Sequence, residues 1–389
     1  MGLDELKEAA IEDCRFVVNA APGGFGIAPG RVEVLGNHTD YNEGFILSAA
    51  IDRYVVLAGR ATDGQIASVY SDAFERLIQF DTAKLRKDGT APWCDYIMGV
   101  VDELRKAGHP VRGFECAVAS DVPLGAGLSS SAALEVATAM LLSGVFGFEL
   151  PSGDAARLCQ RAENEFVGMN CGILDQWSSL HGQADHLIFL DCRDLSGRTV
   201  PLGSEVELIL ADTHAAHELV EGTYNRLREA CFAAAAAFAE VLPGVTHLRD
   251  VSVEQFAAHA DRLSEDVRTK ADHIVHENDR VQRGVAALEA GDLETMGRLM
   301  TESHASSRDR FGNSCPELDT MVALAEELDG CYGARLSGGG FGGCTVNLVA
   351  RDRADAFAAD LGARYEDATG IAPDLHRCRA VDGARFETI

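Results

Sequence analysis

Pro123-Leu-Gly-Ala-Gly-Leu-Ser-Ser-Ser-Ala-Ala133 is a glycine-rich turn that runs straight into a helix. Glycines permit tight backbone turns, and serines at a helix start satisfy its free N–H groups. Such an N-terminus is a ready anion site. The hydroxyls of Ser129, Ser130 and Ser131 add donors or a metal contact, so no neighbouring cation is required. The Gly-Lys-Ser/Thr ending of a Walker A loop is absent. Alone, the segment reads equally well as an ordinary capped helix. A second cluster, Ser337-Gly-Gly-Gly-Phe-Gly-Gly343, tips the balance: five glycines in seven residues serve no packing purpose in a helix or strand. They imply backbone brought very close to something, with the serine loop and its phosphates as the natural partner.

Outward from this turn, a strand is predicted over 113–120 and a helix over 129–146. Upstream, 3–20 patterns as an amphipathic helix and 21–30 as a Gly/Pro-rich stretch. Strands are predicted at 31–35, 44–51, 54–60, 67–70 and 77–80, and a helix at 93–106. Downstream, a helix over 152–170 leads to Gly172, followed by a strand at 187–191. A strand at 206–212 opens a second half in which long helices dominate to about residue 328. Strands return at 334–336 and 344–350. Strands and helices mixed without regular βαβ alternation imply an α+β fold. A chain of 389 residues is expected to form two domains, here 1–200 and 201–389.

Composition narrows the function. Apolar residues make up 47% of the chain and charged residues 24%, a globular balance, and the net charge is −27. That charge repels nucleic-acid phosphates and anionic membranes. A phosphate pocket here must rely on backbone N–H groups, metal and a few local cations. The eleven cysteines are scattered, with no C-x-x-C pair, and read as reduced thiols of a cytoplasmic protein. The first fifteen residues are acidic and lack the apolar core of a signal peptide. Leu6 stands where a myristoylation motif requires Ser or Thr. No apolar run reaches the roughly 18 residues of a membrane span.

Three further places carry chemistry. The run from Gly30 to Asn42 ends a strand in polar side chains: Asn37, His38 and Asp40 suit sugar hydroxyls, and Arg31 suits phosphate. A polar turn with Asx-type bonds explains the same residues. Asp175 lies between apolar neighbours after Gly172, as either a functional carboxylate or a helix cap. Glu163 and Glu165 are metal-ligand candidates on a helix whose ordinary reading is a solvated surface. The pairs His214/His217 and His273/His276 lack the further ligands zinc needs and read as structural.

These segments resemble the motifs of the GHMP small-molecule kinases, the galactokinase branch in particular. The first motif is Gly30-Arg-Val-Glu-Val-Leu-Gly-Asn-His-Thr-Asp-Tyr-Asn-Glu-Gly44, the second spans 123–137, and the third 333–346. Further matches fall at 93–100, 166–176 and 314–319, in family order. The resemblance implies a GHMP kinase fold: an N-terminal ribosomal-protein-S5-domain-2-like domain, a C-terminal ferredoxin-like α+β domain, and an active site in the cleft between them. It implies ATP with Mg²⁺ and phosphorylation of the 1-hydroxyl of galactose or a close relative. It assigns Asp175 and Arg31 to catalysis, and Asn37, His38, Asp40, Gly172 and Tyr224 to the sugar. Trp93, Tyr96, Gly125, Gly127, Ser129, Ser130 and Ser131 go to the nucleotide, and Ser131 with Glu163 to the metal. A monomer acting on a small sugar and ATP, with neither nucleic acid nor membrane as partner, is expected. Two departures bear on specificity. The family usually has Glu at the position of Asn37, where it accepts a hydrogen bond from the sugar 6-hydroxyl. Its loss keeps a modified galactose, galacturonate or N-acetylgalactosamine, in view as substrate. Ala216 stands where a basic residue is usual. A non-catalytic galactose and ATP sensor is the reading of a different class.

Overall fold

The computed structural model describes all residues except 88, 124–126, 170 and 216–219, with 220 and 221 described by their backbone alone. In chain order the elements are α1 (Leu3–Phe16), β1 (Gly24–Leu35), β2 (Phe45–Ala61), β3 (Ile66–Ser71), β4 (Arg76–Asp81), α2 (Pro92–Lys106), β5 (Phe114–Ser120), α3 (Ser130–Phe146), α4 (Ser152–Arg161), α5 (Leu174–His181), β6 (His186–Asp191), β7 (Ser196–Pro201) and β8 (Val206–Asp212). There follow α6 (Val220–Ala239), α7 (Val253–His259), α8 (Glu265–Glu289), α9 (Leu293–Ser306), α10 (Pro316–Glu326), β9 (Cys331–Leu336), β10 (Cys344–Ala350), α11 (Ala354–Thr369), β11 (Asp374–Cys378) and β12 (Arg385–Thr388).

An eight-stranded sheet runs in the order β12-β1-β2-β5-β3-β4, with β6 paired to β2 and β7 to β6. A four-stranded sheet runs β11-β8-β10-β9. Only β3 and β5 pair in parallel among the described strands. The α+β architecture expected from the sequence is thus present. One apolar core joins both sheets, extending from Val32 and Leu35 of β1 to Leu208 of β8 and Val346 of β10. A second core packs the helical region, with Leu227, Phe238, Phe256, Ile274 and Phe311. No helix among the described residues is long and apolar enough to cross a membrane.

Three sequence expectations change. The Gly/Pro-rich stretch at 21–30 is mostly strand: β1 starts at Gly24 and is buried along its whole length. Its Gly26 is there for contact with α3. A Cβ on Gly26 would lie 2.0 Å from the Ala137 carbonyl oxygen, so only glycine lets the helix backbone come this close. The strands predicted at 44–51 and 54–60 are one, β2, which bends where its register to β1 shifts between Pro29 and Gly30. The helix predicted over 152–170 also breaks up. It passes from α4 into a π-turn at Ala162–Val167, the kind of local widening common at functional sites.

Candidate active site

The site grows from the end of β1. Arg31 and Glu33 are two residues apart and share one face of the strand. After Leu35 the chain turns through Gly36, whose φ of 106° favours glycine. The Thr39 hydroxyl lies 2.7 Å from the carbonyls of both Gly36 and Phe45 and shares its one proton between them, and Asn42 Nδ2 donates to the His38 carbonyl at 2.9 Å. The polar turn considered from sequence is therefore real. It is also held from below: Glu277 Oε1, on α8, accepts from the backbone N–H of Gly36 at 2.9 Å and of Asn37 at 3.3 Å. Burial raises the Glu277 carboxyl, but Arg280, His273 and the other groups around it outweigh that and hold it well below the usual range.

A cleft of about 430 Å³ opens over this turn. It gathers Arg31, Asn37, His38, Asp40, Gly172, Asp175 and Tyr224 from β1, the turn, the segment before α5, α5 itself, and α6. Glu33, Gly338 and Gly339 also line it. Gly172 packs so closely on Asp40 that a Cβ would lie 1.8 Å from Asp40 Oδ2. Burial, with the charges of Glu33 and Asp175, pushes the Asp40 carboxyl up to about 6, against an opposing backbone hydrogen bond.

Asp175 lies in the first turn of α5. Its carboxylate is not a helix cap; other groups claim it. Arg31 Nε and Nη2 both reach Oδ1 at 2.7 Å, and Ser129 Oγ donates to Oδ2 at 2.5 Å. Arg31 Nη1 continues to the Gly127 carbonyl at 2.6 Å. One arginine thus ties the carboxylate to the glycine-serine loop. Ser129 itself is left-handed, with φ 57°, and precedes the first turn of α3, which contains Ser130 and Ser131. Gly125 and Ala216 lie outside the described residues, as does His217.

Glu163 sits in the π-turn and is buried. Its Oε1 is 3.4 Å from Ser131 Oγ, and its Oε2 accepts from Gln176 Nε2 at 2.8 Å and Cys171 Sγ at 3.2 Å. Burial and then the Asp175 charge raise its carboxyl. On α2, Tyr96 faces this acidic corner, and burial together with Glu163 and Glu135 pushes its hydroxyl up to about 12. Trp93 stacks on Phe74 with ring centroids 5.6 Å apart and 4° between planes, and its buried indole Nε1 has no partner among the described residues.

His38 and Asn37 line the cleft with their polar atoms already engaged by the protein. His38 Nε2 lies 3.1 Å from the Gly339 carbonyl, which only accepts, so Nε2 carries the proton. Nδ1 then accepts from the Tyr41 hydroxyl at 2.9 Å. Both ring nitrogens are used, and burial lowers the imidazole to about 4, which leaves it neutral at pH 7. Its ring packs on Tyr224, centroids 5.2 Å apart. Asn37 Nδ2 donates to Glu33 Oε1 at 3.0 Å and the Gly338 carbonyl at 2.6 Å. Its Oδ1 accepts from Asn313 Nδ2 at 2.8 Å and Ser307 Oγ at 3.4 Å. The second glycine cluster therefore docks on the sugar-side turn as well as near the loop, where Gly127 approaches Ser337.

Sequence reasoning missed Glu33, Glu277 and Asn313. The two-residue spacing of Glu33 from Arg31 was the available signal for the first. Glu277 on α8 and Asn313 in the loop before α10 are remote in sequence and carried none. His273 was read as structural, and its Nε2 meets the Asn37 carbonyl at 3.2 Å. The π-turn at Glu163 had no sequence mark.

Fold and site together define an ATP-dependent kinase of small molecules. The profile of the GHMP kinases N terminal domain matches residues 95–183, and that of the GHMP kinases C terminal matches 285–367. The galactokinase galactose-binding signature matches 15–61. A galactokinase of Roseiflexus sp. is 48% identical over 356 residues, covering 92% of this chain and 91% of the relative. One of Chloroflexus aurantiacus is 43% identical over 343 residues, 88% of each. The crystal structure of Lactococcus lactis galactokinase complexed with galactose superposes with a TM-score of 0.91 at 31% identity, over 98% of this chain and 99% of that one. A mevalonate kinase crystal structure, at 17% identity and a TM-score of 0.63, shares the fold alone. The chain belongs to the galactokinase family of GHMP kinases.

Proposed function

We propose that this enzyme transfers the γ-phosphoryl group of ATP to the anomeric 1-hydroxyl of galactose, giving galactose 1-phosphate. The observation that carries this reading is the position of Asp175. Its carboxylate faces the polar cleft while Arg31 and Ser129 tie it to the glycine-serine loop. Phosphoryl transfer asks mainly for positioning and charge stabilisation. A sugar in the cleft would lay its 1-hydroxyl against Asp175 Oδ2, where the carboxylate accepts the proton or fixes the hydroxyl in line. Arg31, locked on Oδ1, keeps that oxygen from competing. Asp40 and Tyr224 would hold ring hydroxyls, with Gly172 permitting the approach. His38, neutral and fully engaged, serves as a rigid wall.

ATP would enter with its triphosphate on Gly127 and the hydroxyls of Ser130 and Ser131, and its base against Trp93 and Tyr96. Ser131 and Glu163 would hold Mg²⁺. A hydroxyl and a carboxylate oxygen 3.4 Å apart match the few protein oxygens this ion takes beside phosphates and water. Bound there, the ion would supply charge neutralisation for the phosphoryl group in transfer. We read the chain as two domains dividing near residue 200, and as a monomer. Its eleven free thiols support the cytoplasm as its compartment.

ADP release with ATP and Mg²⁺ on galactose tests the reading, and a wild-type enzyme that turns over another sugar but not galactose would overturn it. Asp175→Asn should keep fold and ATP binding while turnover falls about 10²–10⁴-fold. Unchanged turnover would remove Asp175 from the mechanism.

A further inference from the structure

The neutral residue at position 37 raises a question of specificity that the geometry answers. Asn37 has two amide protons and one carbonyl oxygen to offer. Glu33 and the Gly338 carbonyl take both protons, and Asn313 and Ser307 both point donors at the oxygen. The orientation of the amide is fixed, because two pure acceptors face Nδ2. Asn37 has nothing left for a sugar.

Glu33 is differently placed. It lines the same cleft. Its Oε1 accepts from Asn37 Nδ2 and from Arg335 Nη1, both at 3.0 Å. Among the described residues no donor reaches Oε2. Arg335 is fully buried and needs a counter-charge. Burial raises the Glu33 carboxyl, while Arg335, Arg31 and the Asn37 amide oppose it. Glu33 and Arg31 pair regularly with Ser48 and Ala50 of β2, so the two side chains project from one face about 7 Å apart. That separation is roughly the span of a pyranose ring with its hydroxyls. A sugar whose reacting oxygen lies at Asp175 and Arg31 therefore presents its far side to Glu33.

We propose that Glu33, and not Asn37, is the specificity-determining carboxylate that reads a sugar hydroxyl on the side of the ring remote from the reacting oxygen, with Asn37 holding it in place. The negative charge missing at 37 has moved one hydrogen bond away. Such a wall accepts a hydroxyl and repels an anionic substituent, which argues against uronic acids as substrates. This inference rests on the galactose reading above.

The test compares kcat/KM for galactose, 4-deoxygalactose, 6-deoxygalactose and galacturonate in wild type, Glu33→Gln and Glu33→Asp. Glu33→Asp keeps the charge beside Arg335 but withdraws it from the cleft by one methylene, so it guards against a Gln variant that fails to fold. At least one preference for galactose over an analogue should shrink about tenfold or more in each folded variant, since a hydrogen bond to a charged group is lost. A purely structural role would lower kcat/KM for every sugar alike. Ratios unchanged from wild type in the folded variants would overturn the proposal. Absence of galactose turnover by the wild type would instead overturn the substrate reading itself.

Discussion

Asp175 gets its chemistry from its neighbours. Arg31 and Ser129 occupy one side of each carboxylate oxygen, and the rest faces the cleft. Arg31, Asp175, Asp40 and Gly172 were legible in the sequence because each sits in a compact motif whose composition is odd for a surface. Glu33 was not, because a glutamate in a strand reads as solvent-facing until Arg335, distant in sequence, arrives beside it. Gly172 shows how tight the site is. Gly172→Ala would put a Cβ 1.8 Å from Asp40 Oδ2, displacing that carboxylate. KM for galactose should rise about tenfold or more, with KM for ATP little changed; steady-state kinetics with each substrate varied would check it. Asp40 also sets a pH signature. Its carboxyl is raised from 3.8 to about 6 in the fold, so its contribution to stability is full below 3.8 and lost as pH rises through 6. His38, lowered to about 4, runs the opposite way over much of that window, so the whole-protein profile mixes the two. The comparison isolates Asp40: Asp40→Asn should gain stability relative to wild type between pH 4 and pH 7, read by urea unfolding at both.

At the level of elements, helices and most strands follow the apolar period. Most of the failures come from a tertiary contact that overrides local composition. Residues 24–30 look like a loop because glycine and proline usually mark one, yet here they form the half of β1 that α3 presses against. Gly26→Val should therefore destabilise the protein by about 1–3 kcal/mol through overpacking, visible as a lowered thermal midpoint, and a variant as stable as wild type would count against this packing. The helix α5 was hidden because its eight residues are too short for a periodic signal. The π-turn at 162–167 leaves no sequence trace, since it is decided by what Glu163 meets: Gln176, Cys171 and Ser131.

For the whole molecule, charge is the governing quantity. A chain of net charge −27 must admit ATP, itself an anion, to a cleft whose cation Arg31 is already spoken for. Long-range repulsion slows such an encounter and salt screens it. kcat/KM for ATP should therefore increase between about 10 mM and 150 mM ionic strength, whereas kcat/KM for galactose, a neutral sugar, should stay flat. A fall for ATP would show that local positive potential at the loop dominates the global field. The two-sheet plan was legible only in outline. The sequence suggests a division near residue 200, but a single core crosses from β1 to β8 and β10, and burial of that kind becomes visible only when both sheets are in hand.

The strand β12 has a consequence for how the protein is made. It pairs with Gly24–Ile27 at the outer edge of β1, the strand that also carries Arg31 and Glu33. Nearly all the chain is translated between these two partners. While the ribosome works through the second half, the outer edge of β1 stands open, its N–H and C=O groups available to any other extended segment. The first sheet is thus complete only late in synthesis, and the quality of the sugar-binding strand depends on residues read out hundreds of codons after it.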